Sequence, residues 1–222
     1  MKSLFITGTG TSVGKTFVCA AIAISMVRRE QRLAYYKPAM SGVSTISHSD
    51  AGFVHQAANL AQGTDTLVSY LYSLPYTIHL AARTEQNFLS LLRVENDFQR
   101  LMRSFDYVLC EGSGGVVCPV VYEEHSRIFY TDIMQVLGSP IILVADSGLG
   151  TISHSVTALE YLRAFDLPLA GVILNRYDSD NPLHADNLLM IEELGQVPVV
   201  GVLAEGSLEL EVRGRELEDY FA

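Results

Sequence analysis

The sequence predicts an α/β fold: a doubly wound, mostly parallel sheet with helices on both faces. Three observations carry that prediction. Strand-like segments such as Ile141-Ile142-Leu143-Val144 are continuous aliphatic runs, so both faces of the sheet are expected to be covered. Strand-like and helix-like segments alternate along the chain. Most strand-like runs then end in glycine-bearing or polar turns, where a parallel sheet gathers its ligand-binding loops. The 222 residues suffice for a substantial core. With no linker, repeat or low-complexity stretch, one domain over 1–222 is expected.

Leu4 to Gly8 reads as the first strand, and a glycine-bearing loop leads from it into a helix reaching about Arg29. On that helix Val18, Ile22 and Met26 form one apolar stripe, with Phe17, Ala21 and Ile24 beside it. Leu33 to Lys37 is the second strand, stopped by Pro38, and a polar loop covers Ser41 to Ser49. Ala51-Gly52-Phe53-Val54 starts a helix just after Asp50. Residues 60–87 are the least legible, with an aliphatic and aromatic run from Leu67 to Tyr72 and a Pro75-Tyr76 turn. Phe88 to Arg103 has helical periodicity. Asp106 to Glu111, Pro140 to Asp146 and Leu169 to Asn175 are three more strands, with a helix from Thr151 to about Phe165 between the last two. A helix around His184–Leu194 and an apolar run from Val197 to Leu203 close the pattern.

A net charge of −10 and a pI near 5.0 disfavour non-specific binding to nucleic acid or membrane surfaces, so small-molecule partners are expected. No window reaches the roughly 20 apolar residues of a membrane span. Cys19, Cys110 and Cys118 lack C-x-x-C spacing and read as reduced thiols of a cytoplasmic protein. Met1-Lys2-Ser3 runs straight into the first strand, leaving no room for a signal peptide. The histidines show neither metal-ligand spacing nor a Ser-His-Asp arrangement.

Chemistry is expected beyond the carboxyl ends of the strands. After the first strand, Gly14-Lys15-Thr16 opens a helix, the context in which a phosphate-binding loop works. Ser12, Val13, Gly14, Lys15, Thr16 and Phe17 are the expected nucleotide-binding residues, with free N–H groups and the helix N-terminus facing an anion. Lys15 would reach the β- and γ-phosphates, and the Thr16 hydroxyl would bind Mg2+. Five residues separate Gly8 from Gly14, one more than the standard spacing. Lys37 and Ser41 follow the second strand, Glu111 ends the third, Asp146 precedes Ser147-Gly148-Leu149-Gly150-Thr151, and Asn175 ends the next. A carboxylate at 111 suits Mg2+ beside Thr16. Asp50 either caps a helix or binds metal.

Together, Gly8-Thr9-Gly10-Thr11-Ser12-Val13-Gly14-Lys15-Thr16, Tyr36-Lys37-Pro38-Ala39-Met40-Ser41-Gly42, Ser49-Asp50-Ala51, Glu111-Gly112-Ser113-Gly114-Gly115 and Ser147-Gly148-Leu149-Gly150-Thr151-Ile152 resemble the dethiobiotin synthetase family, of the P-loop NTPase type. The motifs span most of the chain in the family's order, and the lengthened phosphate loop combined with K-P-x-x-S-G is the specific part. The resemblance implies an ATP-dependent ring-closing ligase of biotin biosynthesis. Such an enzyme converts 7,8-diaminononanoate, CO2 and MgATP to dethiobiotin, ADP and phosphate, through a carbamate and a carbamic–phosphoric anhydride. By the same resemblance Lys15 and Thr16 serve phosphates and metal, Asp50 and Glu111 complete the Mg2+ shell, and Asn175 contacts adenine. Lys37, Thr11 and Ser41 hold the carbamate. A homodimer is implied, in which Gly150, Thr151 and Ser153 reach the substrate carboxylate in the partner's site.

The chain departs from the family at several positions. Gly10 replaces the usual Asp or Asn, and Ser153 an asparagine. Asn187 stands where an aromatic hydroxyl is common, and Leu203-Ala204-Glu205 where a proline is expected. No S-P-H substrate wall follows Pro75-Tyr76. Phosphate chemistry therefore matches the family better than diamine and base recognition do. Competing readings are a regulatory or partitioning ATPase of the same branch, whose early loop lysine is replaced here by Gly10, and a nucleotide-binding relative that has lost catalysis. An amidating ligase resembling cobyrinic acid synthases would carry a further glutaminase domain. Diamine-dependent ADP release separates the first reading from the others.

Overall fold

The computed structural model describes residues 2–222. β1 (Lys2–Gly8) leads into α1 (Lys15–Arg28), β2 (Leu33–Ser41), α2 (Asp50–Ala58), β3 (Val68–Tyr72), α3 (Ile78–Thr84), α4 (Leu91–Ser104) and β4 (Tyr107–Glu111). A separate hairpin, β5 (Pro119–Glu123) with β6 (Ser126–Phe129), precedes α5 (Tyr130–Leu137). β7 (Ile141–Asp146), α6 (Thr151–Arg163), β8 (Leu169–Asn175), α7 (Pro182–Gly195), β9 (Val199–Leu203) and β10 (Glu211–Val212) complete the chain. Eight strands form one sheet in the order β10-β9-β8-β7-β1-β4-β2-β3, parallel except where β10 meets β9.

Successive residues of a strand face opposite layers. Leu4 and Ile6 of β1 therefore pack with Val18 and Ile22 of α1, while Phe5 packs in the layer of Val94, Ile133, Leu159 and Leu188 from α4 to α7. This double coverage explains the aliphatic runs. Among the described residues no helix is long and apolar enough to cross a membrane.

Four sequence expectations are corrected. Phe17 does not flank the core stripe of α1: it is 44% exposed and pairs with Phe53 of α2, ring centroids 5.3 Å apart. Pro38 does not stop β2, which continues to Ser41. Pairing with β4 ends at Tyr36, and Lys37 turns its N–H to Leu67 of the β3 side. Position 38 thus faces the side where the ladder has ended, and proline's missing donor costs nothing there. The helix expected from Phe88 begins at Leu91, and Phe88 lies exposed outside it. Ser49, not Asp50, caps α2, accepting from the Gly52 N–H at 3.1 Å. The short elements α3, α5, β5, β6 and β10 have too few turns or residues for their periodicity to be read.

Candidate active site

The site is built around Glu111, at the carboxyl end of β4 and fully buried. Because β4 lies between β1 and β2, donors reach it from both sides. Its Oε1 accepts from Thr16 Oγ1 at 2.8 Å and Lys37 Nζ at 2.6 Å, and its Oε2 from the Tyr35 hydroxyl at 2.7 Å. A carboxylate removed from water needs such partners. Tyr35 and Lys37 are two apart in β2 and so share a face, which brings both to the same carboxylate.

Lys37 Nζ also donates to Asp50 Oδ2 at 2.7 Å. Burial alone would lower the Lys37 pKa, but Glu111 and Asp50 outweigh it and raise it, so Lys37 stays an ammonium at neutral pH. Burial would likewise raise the Asp50 pKa, yet Lys37 holds that carboxyl below its ordinary value. Lys15 is nearly buried between the carbonyls of Gly10 (2.9 Å) and Gly114 (2.5 Å), and desolvation lowers its pKa against the pull of Glu111. The amines of Lys15 and Lys37 thus share one site with two carboxylates, and Lys37 pairs with both.

Thr11, Ser12, Gly14, Lys15, Thr16, Phe17, Lys37, Ser41, Asp50 and Glu111 all line one cavity of ≈ 550 Å³. The Ser41 hydroxyl donates to the Tyr76 carbonyl at 2.6 Å. Gly14 is left-handed at φ 94°, and a Cβ there would stand 1.9 Å from Asn175 Nδ2, so only glycine fits. Asn175 does not line the cavity; its Nδ2 donates to the Val13 carbonyl at 3.0 Å.

Thr16 Oγ1, Asp50 Oδ2 and Glu111 Oε1 gather around Lys37 and the Thr16–Glu111 hydrogen bond. Two carboxylates and a hydroxyl are hard oxygen donors suited to Mg2+, which completes its shell with water and phosphate oxygens. The residues present fit that ion.

Gly150, Thr151 and Ser153 lie apart from this cavity, at the start of α6. The Thr151 hydroxyl donates to the Asp146 carbonyl. Asn187 is buried, its amide donating to the carbonyls of Ser147 at 2.9 Å and Gly148 at 3.1 Å, so that amide is spent on holding the glycine turn. Leu149, at the tip of that turn, is 91% exposed.

Sequence reasoning missed Tyr35, Phe53, Ser113 and Arg176. Ser113 and Arg176 line the cavity, as does Phe53. For Tyr35 the signal was the two-residue spacing from Lys37, and for Arg176 its place directly after a strand end. Ser113 stood inside the glycine-rich turn after Glu111 but was given no role, and nothing local marked Phe53.

A family model described as an AAA domain matches residues 2–207. The chain is 41% identical to the ATP-dependent dethiobiotin synthetase BioD of Brachyspira hyodysenteriae, over 97% of each chain. It is 35% identical to the ATP-dependent dethiobiotin synthetase BioD of Clostridium botulinum (strain Alaska E43), over 99% of this chain and 98% of that one. Among solved structures it resembles the MinC:MinD cell division protein complex of Aquifex aeolicus, with a TM-score of 0.59 at 14% identity, covering 99% of this chain and 85% of that one. At that identity the last likeness concerns the fold alone.

Proposed function

The chain belongs to the ATP-dependent dethiobiotin synthetase family, and from that premise we propose that the cavity around Glu111 is where ATP and a diamino acid react. The enzyme is an ATP-dependent ligase of biotin biosynthesis. The observation that carries the site assignment is the junction of the Gly14-Lys15-Thr16 loop with the Lys37–Glu111–Asp50 network on one cavity.

In this reading the substrate is 7,8-diaminononanoate, one amine of which takes up CO2 as a carbamate. Thr11, Lys37 and Ser41 hold that carbamate. Lys37 works as a fixed positive charge, not as a base, because its carboxylate neighbours keep it protonated. Ser12, Val13, Gly14, Thr16 and Phe17 offer backbone donors to the triphosphate, and Lys15 neutralises its charge. A carbamate oxygen attacks the γ-phosphorus, the bond to the bridging oxygen breaks, and ADP leaves. The second amine then attacks the carbamic–phosphoric anhydride carbon, expels phosphate and closes the ureido ring. Mg2+ held by Thr16, Asp50 and Glu111 would supply further charge neutralisation at the phosphates. Asn175 retains its amide oxygen for the amino group of adenine.

A homodimer completes the reading. The exposed Leu149 and the open helix start support a role for Gly150, Thr151 and Ser153 in holding the substrate carboxylate of a second copy, Thr151 by shaping the turn, since its hydroxyl and N–H are engaged by the Asp146 and Gly148 carbonyls. With the Asn187 amide spent on the turn, a single hydroxyl at Ser153 is left for that carboxylate, and the diamine KM should be high. The chain is taken as one catalytic unit, and its three free thiols accord with a cytoplasmic enzyme.

The test is phosphate release with 7,8-diaminononanoate, bicarbonate and MgATP, with the product mass checked. Turnover that ignores the diamine would overturn the assignment. Sedimentation tests the shared site: a fully active monomer would end it, and a dimer whose diamine affinity Ser153→Asn leaves untouched would end the carboxylate contact alone.

A further inference from the structure

Two consecutive side chains grip two consecutive carbonyls of the phosphate loop. Asn175 Nδ2 donates to the Val13 carbonyl at 3.0 Å, and Arg176 Nη2 to the Ser12 carbonyl at 2.9 Å. Across a trans peptide the carbonyl and the following N–H point in opposite directions, and the chain has no cis peptide among the described residues. Holding the Ser12 carbonyl on the β8 side turns the Val13 N–H away from it, and holding the Val13 carbonyl does the same for Gly14. Those are the donors a phosphate would need. Apart from a loose turn over Thr11 and Ser12, the N–H groups from Ser12 to Phe17 make no backbone hydrogen bond among the described residues.

Arg176 is itself held. Its Nη1 lies 2.5 Å from Asp146 Oδ2, and Asp146 Oδ1 accepts from the Gly148 N–H at 2.9 Å. Both Arg176 (φ 56°) and Ser12 (φ 62°) adopt left-handed backbone without being glycine. Such conformations cost free energy and persist where surrounding contacts over-determine them. The connected path is Ser12, Arg176, Asp146, Gly148: it joins the phosphate loop to the glycine turn that opens α6.

We propose that Arg176, with Asn175, is a positioning residue that presets the phosphate loop for nucleotide, and that Asp146 ties this clamp to the α6 turn. The proposal rests on the nucleotide reading of the cavity and deepens it. Preorganisation lowers the cost of ordering a loop on binding, so its loss appears mainly in nucleotide affinity.

The test measures MgATP affinity of the whole protein by calorimetry without diamine, and separately KM and kcat with diamine. Arg176→Met should weaken MgATP binding about tenfold, the range for losing one charged hydrogen bond at a half-exposed group. KM for ATP should rise more than kcat falls. Arg176→Lys, able to donate to one acceptor at a time, should recover part of the loss. Adding Asp146→Asn to Arg176→Met should cost less than the two single losses combined, because they share one path. MgATP affinity equal to wild type in a folded Arg176→Met protein would overturn the clamp. Strictly additive losses would overturn the Asp146 link, and should Arg176→Met not fold, unchanged affinity in Arg176→Lys and Asp146→Asn together would refute the whole path. A protein that binds MgATP and obeys these expectations but ignores the diamine would instead overturn the substrate assignment.

Discussion

Replacing Glu111 with glutamine tests the centre of the site. The wild-type carboxylate accepts three hydrogen bonds, one of them from the Lys37 ammonium, with no exposure to solvent. Glutamine keeps the shape but has one acceptor oxygen. If that oxygen meets Lys37 and Thr16, the amide nitrogen meets the Tyr35 hydroxyl, which must turn to accept and then loses the acceptor for its own proton. Lys37 keeps the neutral amide oxygen but is left with Asp50 as its one carboxylate partner, whose side chain is 55% exposed. Removing one partner of a buried ion pair costs about 3–5 kcal/mol; the surviving Asp50 contact should reduce this to about 2–4 kcal/mol. For a chain of this size each kcal/mol is about 2–4 °C in Tm, so the melting point should fall by about 5–15 °C. Circular dichroism melts at neutral pH read this directly. In parallel, phosphate release should drop at every Mg2+ concentration, while ATP affinity measured without Mg2+ changes less, because a ligand charge is lost and the cavity wall is not. A Glu111→Gln protein that melts with the wild type and turns over normally at saturating Mg2+ would refute both the energetic and the functional argument.

Lys15→Ala should abolish diamine-dependent phosphate release, at least a hundredfold, with Tm within about 3 °C, since losing donors to Gly10 and Gly114 is offset by no longer burying a charge; normal turnover would remove the nucleotide reading. Gly14→Ala should eliminate ATP binding, because the new Cβ meets Asn175 Nδ2 at 1.9 Å. Adding Asn175→Ala removes the clash but not the strain of a left-handed alanine, about 1–2 kcal/mol, so calorimetry should show only partial recovery. The Asp146 carboxyl is pushed up by burial but held below its ordinary value by the Gly148 N–H and Arg176. A depressed carboxylate pKa stabilises the fold above the unfolded value near 3.9 and loses that contribution as pH falls through the folded one. Tm of the wild type should therefore decline more between pH 5 and about 3 than Tm of Asp146→Asn, and parallel declines would contradict the pairing.

The phosphate loop was legible because it is local: strand, glycine loop, lysine, threonine and helix are contiguous from Leu4 to Ile24, and their geometry follows from backbone chemistry alone. The strand-end positions of Glu111 and Asn175 were legible for a related reason, since an aliphatic run shows where a buried strand stops; Lys37, read as a strand end, lies inside β2. Their partners were not. Asp50 stood equally as cap or ligand until the fold put Ser49 on the Gly52 N–H and the Asp50 carboxylate on Lys37. Tyr35 read as one more aromatic in a buried strand, and Phe17 as part of a core stripe, because periodicity does not say what lies opposite a face.

What decided these cases is strand order. β4 is inserted between β1 and β2, and this alone lets Glu111 take donors from Thr16 on one side and from Tyr35 and Lys37 on the other. The sequence by itself determined the long buried strands, the ends of β1, β4, β7, β8 and β9, and that a phosphate-binding loop opens the chain, since these depend on neighbours a few residues away. Only the tertiary structure decided which strand ends are adjacent, and so which charges meet. Adjacency depends on packing between distant segments, 95 residues apart for Thr16 and Glu111 and 164 for Ser12 and Arg176, and no local pattern encodes it.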